Sequence, residues 1–461
     1  MPPGASTFTS HRLGDSVADL IVSISGIRGV VGDGLGPREV MRFGLAFGTH
    51  VGGGTVVLGR DSRPTGLMLV SAVRAGLLAT GCHVLGTGIL STPGVSVTVL
   101  DRGAAGGMVV TASHNPPAYN GIKLLSAEGM AVDRDTGDAI RRRYEQGDFA
   151  EVGADDVGQA GAIPDAADHH VDRVLAIVEA DSVRRRAPAV VLDPVNGAGG
   201  REMQMLLARL GCRVTMIHGE PTGRFGRGAE PVPANLARLC AAVRDAGANV
   251  GLALDPDADR LALVDETGRA IGEEYTLALA ARHRLTQAKG PIAANLSTSR
   301  LMDAVAREAG VTLHRTPVGE LNVAEAIRAH GCVIGGEGNG GVIDPRVGPV
   351  RNSLVGAALV LEMMADRAAS LGELAAELPV FCLVKDKVPL AGPAEAAVEA
   401  VRERFPDADA DRRDGLHLSW EAGWVHVRPS NTEPVLRILA EAGDEASARR
   451  WIDIVKETVG A

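Results

Sequence analysis

Aromatic residues are scarce, at 3% of 461 residues. Recognition of single-stranded nucleic acid by base stacking needs many such rings, so that class is excluded. Positive charge is also in deficit: 47 Lys and Arg stand against 57 Asp and Glu, for a net charge of −10. A general nucleic-acid binder needs a basic face, and the balance argues against one. Any anion must be held by a few local cations and backbone N–H groups. There are only five cysteines, Cys82, Cys212, Cys240, Cys332 and Cys382, widely spaced and with no CxxC pair. A disulfide framework or a zinc site is therefore not expected, and a reducing cytoplasm fits. The stretch Cys82–Leu100 is uncharged apart from His83 but rich in hydroxyls and glycine, and reads as buried core with a loop, not a membrane span. The opening MPPGASTFTSHRLGDSVADL lacks the basic and apolar segments of a secretory signal, and residues 1–18 read as a loose extension.

What is abundant is glycine, 58 residues without a collagen-like period, and hydrophobic residues, at 45%. Such a chain is globular, and its length calls for three or four domains. One pattern recurs: an Ala/Leu-rich helical run ends in Gly and a β-branched run follows, as in 71–86, 203–217, 239–254 and 301–315. Alternating helix and strand predicts mixed or parallel sheets covered by helices. The pattern falls in three blocks, and LHLSWEAGWVHVRPS with a closing helix over 445–459 marks a smaller α+β end. The expected domains are 19–150, 151–265, 266–378 and 379–461, with the polar stretch Tyr144–Asp165 as a linker.

Four segments carry chemistry. In VVTASHNP a strand-like run delivers Ser113, His114 and Asn115 into a polar turn; this suits an exposed nucleophile, or simply a capped turn. In VGLALDPDADR an apolar run delivers Asp255, Asp257 and Asp259 in alternation. Three carboxylates this close repel unless a cation sits among them, and oxygen-only ligands suit Mg²⁺, Ca²⁺ or Mn²⁺. An EF-hand loop fits poorly, because Arg260 stands where glycine is needed. An Asp-nucleophile phosphatase and a solvated acidic turn remain alternatives. In WVHVRPSNTEP, Arg428, Ser430, Asn431 and Thr432 could cradle an anion. GGEGNGG, residues 335–341, satisfies GxGxxG, but Pro345 and Pro349 deny it the helix that a dinucleotide site needs. Glu337 and Asn339 on that loop suit sugar hydroxyls better. Arg28 and Arg63 are weaker candidates for phosphate contacts, and GRDSR also reads as a salt-bridged turn.

In this order the segments resemble the α-D-phosphohexomutase family, which includes phosphoglucomutase/phosphomannomutase and phosphoglucosamine mutase. The resemblance runs from about Ile21 to the end. It implies three α/β domains and a smaller phosphate-binding domain around a central cleft. It implies a phosphoryl group on Ser113, Mg²⁺ held by Ser113, Asp255, Asp257 and Asp259, and transfer aided by Arg260, with Arg28 and Lys123 near the reacting centre. It further implies that Arg428, Ser430, Asn431 and Thr432 hold the non-reacting phosphate, that Glu337 and Asn339 read sugar hydroxyls, and that a sugar 1,6-bisphosphate is the intermediate. Two positions depart from the family's hexose enzymes, which carry histidine where this chain has Gly341 and Glu320. General acid–base work then falls to Lys123, His114 or a metal-bound group. The GEGNGG and TPVGE segments resemble phosphoglucosamine mutases of archaeal type, whereas SNTEP resembles the hexose enzymes. The balance favours glucosamine phosphate over mannose or glucose phosphate.

Overall fold

The computed structural model describes residues 20–390, 392–430 and 435–460. The expected extension over 1–18 and the cradle residues Asn431 and Thr432 lie outside the described residues.

Three sheets repeat one connection order. In the first, Thr55–Arg60 runs parallel to His83–Ile89 on one side and to Gly106–Val110 on the other, and Tyr119–Leu125 closes antiparallel against the latter. The second repeats this with Ala189–Asp193, Arg213–Met216, Val250–Leu254 and Leu261–Val264. The third uses Ile292–Asn295, Leu313–Thr316, Ile334–Glu337 and Gly341–Ile343. Parallel neighbours require crossovers, which the helices Gly66–Ala79, Gly200–Arg209 and Leu301–Ala309 provide. Helices of the recurring sequence pattern stop at glycines in the left-handed region, as at Gly247 (φ 56) and Gly310 (φ 67), and the chain turns into a buried strand.

Each unit therefore ends in a hairpin, and these three equivalent hairpin loops carry Ser113, the three aspartates, and the Glu337–Asn339 turn. The weak sequence repeat is thus a repeated way of presenting a loop. The first sheet is enlarged to eight strands by Ile21–Ser23, Gly26–Val31, Gly34–Leu35 and Ala160–Ala162. The last of these pairs parallel with His83–Ile89, although it lies within the stretch that reads as a linker.

The second and third units share one core, in which Leu252, Leu254, Leu277, Ile334, Val355 and Leu359 are all buried. At its centre runs the helix Ser353–Arg367, buried for its first twelve residues, as expected of a helix apolar on all sides. Its N-cap is Asn352, whose side chain accepts from the N–H groups of Leu354 and Val355. Residues 382–442 form a five-stranded antiparallel sheet, ordered Cys382–Pro389, Val435–Ala442, Gly423–Pro429, Leu416–Trp420, Asp409–Asp411. The helices Ala394–Arg404 and Glu445–Val459 cover it. This smaller domain docks on the third unit through Ser297 to His426 Nδ1 (2.8 Å), Val318 N–H to Asp414 (2.9 Å) and Arg300 to buried Glu441 (3.2 Å).

Candidate active site

Ser113 sits at φ 49, a left-handed conformation that costs a non-glycine residue energy and needs support. Arg63 supplies it. Its side chain is fully buried; Nε donates to Asp61 (3.0 Å), Nη1 to the carbonyls of Pro116 and Tyr119, and Nη2 to those of Ser113 and Asn115. All five donors of the guanidinium are consumed by the fold. Arg63 is therefore no phosphate contact; it is the salt-bridged turn, extended into the brace of the serine loop. Thr111 completes the brace, accepting from Ser113 N–H and donating to Asp61. Arg28 reaches the loop from the neighbouring strand, donating to Asn115 Oδ1 at 3.1 Å.

The Ser113 hydroxyl, 4% exposed as a residue, lies 3.4 Å from Asp255 Oδ2 and 3.4 Å from His114 Nδ1. Burial, then Arg260, lower the His114 pKa to about 4, so the ring is neutral near pH 7.

Asp255, Asp257 and Asp259 are each fully buried, with ligand atoms within 4.8 Å of one another. Ala258 between them takes φ 55, and its carbonyl accepts from Ser353 Oγ at 2.8 Å. The three respond differently. Burial, reinforced by Asp259 and Asp257, raises the Asp255 pKa well above the usual range. For Asp257, burial and Asp259 are outweighed by Lys123 and the Thr92 hydroxyl, and the pKa falls. For Asp259, burial is outweighed by Arg351, Lys123 and Arg260, and the pKa falls as well. Lys123 Nζ donates to Asp257 (2.6 Å) and Asp259 (3.1 Å); although burial disfavours the ammonium, the two carboxylates hold its pKa above normal. Arg260 binds Glu230 at 2.8 Å, and its Nε lies 3.7 Å from Asp259 Oδ1.

Asp257 Oδ1 and Asp259 Oδ1 are buried with no hydrogen-bond partner. Orphaned carboxylate oxygens in a cluster of three, beside a serine hydroxyl, fit a hard divalent cation such as Mg²⁺.

On the third loop, Glu337 is already engaged: Oε1 accepts from Asn295 (2.7 Å) and Oε2 from Arg351 (2.5 Å). Asn339 is partly exposed, and its Oδ1 accepts from Gly341 N–H. Arg351 is the residue that sequence reading missed. It ties Asp259 (2.7 Å), Glu320 (2.8 Å) and Glu337 into one cluster. A Cβ on Gly341 would lie 2.2 Å from Arg351 Cδ. The positions that depart from the hexose enzymes thus do not leave the site short of cations: Gly341 makes room for Arg351, and Glu320 binds it. The one local signal was RNS immediately before an apolar helical run, an N-cap site whose preceding cation has no sequence-level partner. Thr92 was missed too; its hydroxyl donates to Asp257 at 2.7 Å.

Arg428 lies within the electrostatic field of Glu337, and its buried Nε has no partner. It stands opposite Arg437 in the antiparallel register, two like charges that an anion between them would relieve. Ser430 directly follows the same strand, donating its N–H to the Val435 carbonyl.

Four family models, for the α/β/α domains I, II and III and the C-terminal domain of phosphoglucomutase/phosphomannomutase, match residues 20–151, 168–268, 272–381 and 383–458. A Methanopyrus kandleri protein named probable phosphoglucosamine mutase is 39% identical over 447 residues, covering 94% of this chain and 97% of its own. A Thermococcus kodakarensis protein named phosphoglucomutase/phosphomannomutase is 36% identical over 438 residues, covering 93% and 96%. The crystal structure of a phosphoglucomutase/phosphomannomutase family protein from Burkholderia thailandensis superposes with a TM-score of 0.84 at 28% identity, covering 95% of this chain and 96% of that one. With all four domains matched along the chain, it belongs to the phosphoglucomutase/phosphomannomutase family of phosphohexomutases.

Proposed function

We infer that the enzyme interconverts a hexose 1-phosphate and a hexose 6-phosphate through a phosphoryl group carried on Ser113 and a 1,6-bisphosphate intermediate. The supporting observation is the approach of Ser113 Oγ to Asp255 Oδ2, 3.4 Å, across a separation of 142 residues. Two hairpins from different sheets bring a strained serine and a three-carboxylate cluster to one point. A simple binding protein has no use for both.

Phosphoryl transfer depends on positioning and charge neutralisation more than on covalent help. Asp255, Asp257, Asp259 and an oxygen of phosphorylated Ser113 would hold Mg²⁺, which when bound neutralises phosphoryl charge. The P–Oγ bond of Ser113 breaks as a bond forms from phosphorus to the sugar oxygen, and the hydroxyl proton passes to a nearby acceptor. Lys123 holds its proton and donates to two carboxylates, so it is a charge partner. Neutral His114 is the acceptor beside the reacting oxygen. Arg28, bonded to Asn115 on the serine loop, and Arg260, beside Asp259, supply positive charge to the phosphoryl group in transfer. Arg428, with Ser430, Asn431 and Thr432, grips the phosphate that does not react. Glu337, held by Arg351, and Asn339 present the sugar-reading edge. The GEGNGG loop and the Methanopyrus kandleri relative favour glucosamine phosphate as the substrate, with glucose or mannose phosphate as the alternative.

The test is a coupled assay with Mg²⁺ and a trace of 1,6-bisphosphate, offering glucosamine, glucose and mannose 1-phosphates to the wild type and to Ser113→Ala. Mutase turnover with glucosamine preferred, abolished in Ser113→Ala, is the expected result. Release of inorganic phosphate that survives Ser113→Ala would replace the mutase with an Asp-nucleophile phosphatase.

A further inference from the structure

Beside the aspartate loop runs a buried chain of hydrogen bonds among Ser91, Glu202, His170 and Asn352. Ser91 N–H and Oγ donate to the two oxygens of Glu202, both at 2.8 Å. His170 Nδ1 lies 2.6 Å from Glu202 Oε1, and Asn352 Nδ2 lies 2.8 Å from His170 Nε2. Ser91, Glu202, His170 and Asn352 are between 0% and 3% exposed. They come from all three α/β units. Ser91 caps the helix Thr92–Arg102, Glu202 sits on Gly200–Arg209, His170 on Ala166–Leu175, and Asn352 caps Ser353–Arg367.

The polarity of the chain is determined. Asn352 Oδ1 is committed to the N–H groups of Leu354 and Val355, so its amide N–H must donate to His170 Nε2. That leaves His170 Nδ1–H to donate to Glu202, a carboxylate that only accepts. Every member is satisfied in one sense only. Space is reserved for it as well, since a Cβ on Gly94 would lie 2.5 Å from Glu202 Oε1.

The two ends of this chain are the covalent neighbours of residues that grip the aspartates. Thr92, next to Ser91, donates to Asp257 twice, through its hydroxyl to the carboxylate and through its N–H to the carbonyl at 2.9 Å. Arg351, next to Asn352, binds Asp259, and Ser353, on the other side, holds the Ala258 carbonyl. The result is a closed loop: Asp257, Thr92, Ser91, Glu202, His170, Asn352, Arg351, Asp259.

We propose that Glu202, His170, Asn352 and Ser91 form a positioning relay that sets Thr92 and Arg351 against Asp257 and Asp259, so that the metal-binding shape of the aspartate loop depends on the three units being locked together. The relay rests on the metal reading above. Outer partners of metal ligands typically govern affinity by about 10–100-fold. Glu202→Gln keeps the volume but turns one acceptor into a donor, facing either Ser91 or His170. Thr92→Val keeps the shape and loses the hydroxyl, whereas Thr92→Ser keeps the hydroxyl.

The experiment is Mn²⁺ binding to the full-length protein by calorimetry, with Asp257→Asn as control and a melting curve for each variant. The expected result is a dissociation constant raised about tenfold or more in Glu202→Gln and Thr92→Val. Thr92→Ser should recover most of the affinity, and kcat should fall more than KM rises. Folded Glu202→Gln and Thr92→Val proteins that bind Mn²⁺ as the wild type does, while Asp257→Asn does not, would overturn the relay alone. Wild-type protein that binds no Mn²⁺ would overturn both the relay and the metal reading. If Glu202→Gln fails to fold, the contrast between Thr92→Val and Thr92→Ser decides.

Discussion

Arg63 and Ser113 are joined by a hydrogen bond from Nη2 to the serine carbonyl at 2.8 Å, one of five by which a fully buried guanidinium holds the serine loop and Asp61. The strain at Ser113 is therefore supported by a cation whose five donors are all engaged within the fold.

Replacing Arg63 with Met should destabilise the protein by about 3–5 kcal/mol, because Asp61 would be left as an unpaired buried charge and four carbonyls would lose donors. Arg63→Lys should rescue little, since an ammonium cannot serve that fork of partners. Denaturant unfolding of the two variants measures this; a Lys variant as stable as the wild type would contradict the brace.

Gly341 and Arg351 compete for one volume. Gly341→Ala should cost about 1–3 kcal/mol, as overpacking does, and the cost should shrink once Arg351 is shortened to Ala. A double-mutant cycle on stability reads the coupling. Additive effects would mean that the glycine is there for another reason.

Arg428→Ala should chiefly raise KM, by removing a grip shared by ground and transition states. Steady-state kinetics separate the two terms, and a loss confined to kcat would place Arg428 at the reacting phosphate instead.

Much of this site was legible because its chemistry is local. TASHNP and DPDADR each lie within one hairpin, so residue type and spacing mark Ser113 and the three aspartates as candidates, and the resemblance of the ordered motifs chooses among their readings. The helix and strand alternation carried the three-unit architecture for the same reason. Arg351, Thr92 and Glu202 were not legible. Their partners lie on other units: Arg351 is an ordinary helix-leading arginine until Asp259 and Glu337 are folded against it. Arg63 could be weighed as brace or phosphate contact, and only the carbonyls it meets decide. Ala160–Ala162 looked like linker because an edge strand of three small, exposed residues has no hydrophobic pattern to announce it.

His417, against Trp424 and His426 in the C-terminal domain, has its pKa lowered to about 3, first by burial and then by His426 and Arg315. Unfolded, it would titrate near 6.5. The unfolded chain thus binds more protons between these values. The stability contributed by this group is full above about 6.5 and is lost as pH falls towards about 3. Melting temperature measured across that window should fall less in His417→Gln than in the wild type; parallel curves would contradict the assignment.

The central claim is that Ser113 carries the phosphoryl group in transit. Dephosphorylated enzyme should be incubated with a hexose 1,6-bisphosphate, its modified peptide located by mass spectrometry, and the same protein then mixed with hexose 1-phosphate. One phosphoryl group appearing on Ser113 and leaving to the sugar, with Ser113→Ala inert in both steps, is the predicted result. Phosphorylation at another residue, or undiminished mutase turnover in Ser113→Ala, would contradict it.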